Sequence, residues 1–188
     1  MTLDSPHLEL EPLIGALARH RVRFVITGSV AALAHGVDLH PGDLDIAPAL
    51  DDQNLNALSG LLGELGAKPK HVPSWQKGPS REACEAWLRL PATEANLDHR
   101  FVTAHGELDV VPRLAGTYDE LVTRAVTMTA FDVRTLIAHV DDLISLCEKW
   151  DRDTDRRRMP ALLAARGGLD RGPAGRDIGA RLSRRGRS

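Results

Sequence analysis

Aromatic side chains are scarce in this chain, making up 4% of its 188 residues. That scarcity excludes a base-stacking platform of the kind that grips single-stranded nucleic acid. An excess of one charge is lacking too: the formal net charge is -2, so the molecule as a whole exerts no electrostatic pull on a polyanion. Cysteine is confined to Cys84 and Cys147, far apart and without metal-ligand spacing. Both read as ordinary buried or half-buried thiols. The eight histidines form no His-Glu-x-x-His or other zinc pattern, which excludes the common zinc sites. No apolar run is long enough to span a bilayer, and Met1 to Pro12 carries acidic residues instead of a charged-then-apolar leader. A cytoplasmic protein with no membrane partner is the expectation.

Apolar residues are plentiful, at 43% of the chain, enough for one sizeable core. Leu10, Leu13, Ile14 and Leu17 recur at helical spacing, predicting an amphipathic helix from Leu8 to about His20. Leu55, Leu58, Leu61, Leu62 and Leu65 line a second helix that ends at Gly66. Lys68 to Pro79 reads as an irregular excursion, and Ser80 as the cap of a short helix reaching Glu85 or Trp87. Pro91 to His99 is expected to be loop. Arg100 to Thr103 and Glu107 to Val111 read as an antiparallel hairpin turning at His105-Gly106. Tyr118 to Ala125 is a predicted helix, and Val126 to Ile137 a strand or hairpin. Val140 to Trp150 and Asp155 to about Arg166 are predicted helices, the second containing Pro160. From Gly167 to Ser188 the chain is rich in glycine and arginine with little to bury, and disorder is the expectation there. One domain over residues 1–166 with a basic tail over 167–188 follows.

The chemistry concentrates between Phe24 and Ala47, FVITGSVAALAHGVDLHPGDLDIA. Phe24-Val25-Ile26 reads as a buried strand, Gly28-Ser29 breaks it, and Val30 to His35 is an apolar helical segment. Asp43-Leu44-Asp45-Ile46 then reads as a second strand. Side chains alternate along a strand, so Asp43 and Asp45 share one face while Leu44 and Ile46 share the other. Paired carboxylates repel unless protonated, solvated or bridged by a cation. A divalent metal holding a polyphosphate accounts for the pair. Gly28 permits close backbone approach, and free N–H groups at the helix start with the Ser29 hydroxyl suit terminal phosphates.

Strand, Gly-Ser, short helix and Asp-x-Asp in that order resemble the nucleotidyltransferase superfamily, the DNA polymerase β-like fold. The likeness extends from about Phe24 to Leu163 and is nearest to small bacterial nucleotidyltransferases of the abortive-infection toxin type. It implies an α/β (α+β) chain with a mixed sheet flanked by helices. It implies a third carboxylate on a later strand, for which Asp109 in Glu107-Leu108-Asp109-Val110-Val111 is the candidate. Asp43, Asp45 and Asp109 would then be both the catalytic residues and the ligands of Mg²⁺ or Mn²⁺. Gly28, Ser29, Lys149 and Arg152 would contact a nucleoside triphosphate. Related chains carry two lysines around the stretch from Leu146 to Asp155. Arg152 and Asp155 match that pattern, whereas Cys147 and Thr154 stand where the lysines are expected.

The resemblance implies transfer of a nucleoside monophosphate from a triphosphate to a hydroxyl on tRNA, protein or a small molecule. The relatives include toxins paired with a cognate antitoxin. The alternative is the same fold with weakened phosphate contacts, binding nucleotide or a partner without turnover.

Overall fold

Apolar residues three and four apart make the first helix, α1 (Leu10–Arg19), and its Leu10, Leu13, Ile14 and Leu17 are all buried. The computed structural model describes residues 6–70, 81–87, 90–169 and 177–185. After α1 come β1 (Phe24–Ile26), α2 (Gly28–Ala34), β2 (Asp43–Pro48), α3 (Asp52–Glu64) and β3 (Lys68–Pro69). Then follow α4 (Arg81–Trp87), α5 (Glu94–Leu97), β4 (Arg100–Thr103), β5 (Gly106–Val110) and α6 (Tyr118–Val122). The hairpin β6 (Val126–Ala130) and β7 (Val133–Ile137) leads into α7 (Val140–Trp150), α8 (Asp153–Leu169) and α9 (Gly179–Arg185).

The fold is mixed α and β, as the sequence predicts. Its seven strands form one mixed sheet in the order β3-β4-β5-β2-β1-β7-β6. β1 runs antiparallel to β2 and parallel to β7, while β2 runs parallel to β5. Leu44, Ile46, Leu108 and Val110 are fully buried on the adjacent strands β2 and β5. At the start of α3 the Asp51 carboxylate accepts a hydrogen bond from the Asn54 backbone N–H, a helix cap. The buried Asn54 amide in turn donates to the carbonyls of Arg23 and Ala49, tying the start of β1 to the end of β2. No helix among the described residues is long and apolar enough to cross a membrane.

Several expectations change in detail. The stretch from Pro91 to His99 is not all loop: α5 forms because the Thr93 hydroxyl accepts the Asn96 backbone N–H. The first hairpin turns at Ala104-His105, one residue earlier than expected, and Gly106 opens β5 with φ +101. A side chain at Gly106 would press on Leu8, whose Cα lies 2.7 Å from an added Cβ. Phe131 and Asp132 both have positive φ, resolving the stretch from Val126 to Ile137 as a hairpin with a two-residue turn. α6 stops at Val122, and α8 is longer than expected, with Pro160 inside it. Ser80 and residues 71–79 lie outside the described residues.

The expectation of a disordered tail is corrected for residues 177–185. Asp177 bridges Thr129 on the outer strand β6, and the Ile178 N–H donates to the Thr129 carbonyl at 2.8 Å. Ile178 and Leu182, one helical turn apart, are buried where α9 packs on α1, α2 and β6. The Arg181 guanidinium donates to the Ala34 carbonyl at the end of α2, at 3.3 Å. Two apolar residues suffice here because the edge of β6 and the α1–α2 surface are ready to receive them. Leu182→Ala should therefore cost about 2–5 kcal/mol of stability, read from denaturant unfolding. An unchanged unfolding midpoint would mean that α9 contributes nothing to the core.

Candidate metal centre

Strand periodicity puts Asp43 and Asp45 on one side of β2, and the parallel ladder does the rest. Asp45 lies opposite Asp109 and Asp43 opposite Glu107 in the β2–β5 register. One oxygen from each of Asp43, Asp45 and Asp109 lies within 4.8 Å of the other two. The three carboxylates picked out in the sequence are thus brought together. Asp45 is buried, and the side chains of Asp43 and Asp109 are 19% and 14% exposed.

Such proximity costs free energy. Burial, then the like charges of Asp43 and Asp109, push the Asp45 carboxyl up to about 7. The Arg100 guanidinium and the Ser29 backbone N–H offset part of that rise. Burial also raises Asp43, against the pull of Arg100 and with the push of Asp109 and Glu107.

Arg100 is the main residue that motif reading passed over. Its Nη2 donates to Asp109 Oδ2 at 2.7 Å and makes an ion pair with Asp43 Oδ2 at 2.9 Å, and its Nε donates to the same Asp109 oxygen at 3.0 Å. Its Nη1 stands 3.7 Å from Glu107 Oε2, while Lys70 holds the other oxygen of Glu107. The signal was present in the hairpin. With the turn at Ala104-His105, register places Arg100 directly opposite Asp109.

Gly28 and Ser29 meet this cluster through Asp45. Gly28 has φ +61, and an added Cβ would lie 2.0 Å from Asp45 Oδ2. The Thr27 N–H donates to the Asp45 carbonyl at 3.0 Å, and the Ser29 backbone N–H is near enough to the Asp45 carboxylate to favour its charged form. That N–H, expected to be free for phosphate, is therefore directed at the aspartate. The Ser29 and Thr27 hydroxyl oxygens are buried with no hydrogen-bond partner.

The C-terminal candidates divide. Arg152 is close enough to feel the charge of Asp45, although its hydrogen bonds go to buried Asp155. Lys149 is exposed, with its ammonium 5.9 Å from the centre of the Trp150 ring, and nothing ties it to the aspartates. Cys147 is buried in α7, with burial raising its thiol, and Thr154 is exposed. The side chain of Cys84 lies outside the described residues.

The donor set fits a hard divalent cation. Mg²⁺ favours carboxylate oxygens, and the oxygens around one such ion lie roughly 3–4 Å apart, so the three aspartates need little closing. No family model matches the chain, and no curated protein sequence matches it.

Two outcomes follow. Asp45 holds a proton in the folded chain that the unfolded chain releases, since its ordinary value of 3.8 is raised to about 7. The unfolded state therefore binds fewer protons, and stability falls as pH rises through that interval. In chelator, melting temperature should drop across that range, and Asp45→Asn should flatten the drop and stabilise the neutral-pH protein. A melting temperature independent of pH in both proteins would contradict the crowding described. Gly28→Ala should destabilise the fold by about 1–3 kcal/mol from its positive φ alone, with the clash against Asp45 added. Wild-type stability in that variant would show that the turn and the aspartate move apart freely.

Proposed function

We propose that this chain is a divalent-metal-dependent nucleotidyltransferase, moving a nucleoside monophosphate from a triphosphate to an acceptor hydroxyl. The observation that carries the reading is the meeting of Asp43, Asp45 and Asp109 on paired parallel strands beside the Gly28-Ser29 turn. Bound by these aspartates, Mg²⁺ or Mn²⁺ would neutralise triphosphate charge and lower the pKa of the incoming hydroxyl.

The side chains divide the remaining work. Asp43 and Asp45 present their carboxylates to the metal from β2. Asp109 stands across the ladder from Asp45, where it orients the acceptor hydroxyl and takes its proton. The acceptor oxygen bonds to the α-phosphorus, the bond from that phosphorus to the bridging oxygen breaks, and pyrophosphate leaves. The Ser29 hydroxyl and the Arg152 guanidinium are the groups offered to phosphate oxygens. The acceptor is a hydroxyl of tRNA, protein or a small molecule, and a toxin role with an antitoxin partner belongs to the same proposal.

A second reading is binding without turnover. It is favoured by Cys147 and Thr154 in place of lysines, the first of them buried. Each lost charge-assisted contact is worth roughly 1.5–3 kcal/mol, so affinity for triphosphate should be weak.

Asp43→Asn and Asp45→Asn should each lower Mg²⁺-dependent pyrophosphate release by roughly two orders of magnitude or more. Full release in both variants would remove the aspartates from the chemistry. Calorimetric titration with Mg-ATP and Mg-CTP separates the two readings. Binding without pyrophosphate release, across triphosphates and cell extracts, favours the second.

A further inference from the structure

Arg100 sits on the oxygens that the proposed metal would need. One nitrogen, Nη2, is ion-paired with both Asp43 Oδ2 and Asp109 Oδ2, at 2.9 and 2.7 Å. Two of the three carboxylates are therefore already engaged by one guanidinium, Asp109 through charge-assisted hydrogen bonds. A guanidinium and a divalent cation on the same oxygens repel, so occupancy by one opposes occupancy by the other.

The surroundings offer Arg100 a second seat. Its Nη1 is 3.7 Å from Glu107 Oε2, which lies on the same strand and face as Asp109, two residues away. The Glu107 side chain is only 8% exposed and is held by Lys70, whereas that of Arg100 is 43% exposed. The carboxylate is the fixed member and the guanidinium the movable one.

We propose that Arg100 is an internal counter-cation that competes with the divalent metal for Asp43 and Asp109 and withdraws toward Glu107 when the metal binds. Arg100 is then a positioning residue that sets metal affinity and keeps the carboxylates assembled without metal. This rests on the metal-centre reading above. It differs from a purely structural ion pair in the sign of its effect. Removing a scaffold weakens or spares metal binding, whereas removing a competitor strengthens it.

Direct Mn²⁺ titration, by calorimetry or by the resonance of free Mn²⁺, tests this without any turnover assay. Arg100→Gln should bind Mn²⁺ about tenfold more tightly than wild type, given the strength of charge-assisted bonds. Arg100→Lys, which keeps the charge but loses the Nε bond to Asp109 and is shorter, should fall between them and carries the test if Arg100→Gln does not fold. Glu107→Gln should bind Mn²⁺ more weakly than wild type, because Arg100 loses its alternative seat. Thermal melts should show a larger gain from Mn²⁺ in Arg100→Gln than in wild type. Equal or weaker Mn²⁺ binding in both Arg100 variants, with wild type still binding and Asp45→Asn not, would overturn the proposal and leave the metal centre standing. Absence of Mn²⁺ binding in every protein would overturn both.

Discussion

The parallel pairing of β2 with β5 in the register Asp45 opposite Asp109 governs the rest of this structure. Strand alternation gives each of these strands two faces, and one face of both is apolar. Leu44, Ile46, Leu108 and Val110 are completely buried, and a slip of one residue would turn them outward. The hydrophobic effect thus holds the register, and the register crowds the carboxylates. Charges that repel are kept together by side chains on the opposite face of the same strands. Relief comes from local sources, the Arg100 guanidinium and the Ser29 backbone N–H, and it is incomplete, because Asp45 still favours its proton.

The elements around this pair brace the same spot. β1 lies beside β2, so the turn that follows it lands on Asp45. α2 begins at that turn and is gripped at its far end by Arg181 of α9. α7 packs on α2 and on α8, bringing Arg152 within electrostatic range of Asp45. Residues from four separate parts of the sequence therefore converge on one aspartate.

Much of this was legible in the residues, for stated reasons. Period-two alternation in Asp43-Leu44-Asp45-Ile46 announced which side chains share a face, and the hairpin before Asp109 announced its neighbourhood. Arg100 stayed hidden because its role depends on a turn boundary, and a shift of one residue changes every cross-strand partner. α9 stayed hidden for another reason. Composition counts apolar residues over a window, and Ile178 with Leu182 is too few to register, although a prepared surface makes two enough. Lys149 illustrates the reverse. The resemblance set it with Arg152 at the phosphates, but it is exposed in the last turn of α7, which the left-handed Asp151 ends, and its ammonium lies near the Trp150 ring.

The contact between Gly28 and Asp45 has a consequence for comparative sequence work. Glycine at position 28 answers two separate demands, a left-handed backbone and the absence of a Cβ 2.0 Å from a carboxylate oxygen. Only the first survives if Asp45 is lost. In any set of relatives, the two positions should consequently change in a fixed order. Chains that keep an aspartate at 45 hold glycine at 28 strictly, and asparagine, which tolerates the left-handed region, enters at 28 only in lineages where 45 has already become small. A covariation of that kind would mark, from sequence alone, the branches in which the acidic cluster has been abandoned.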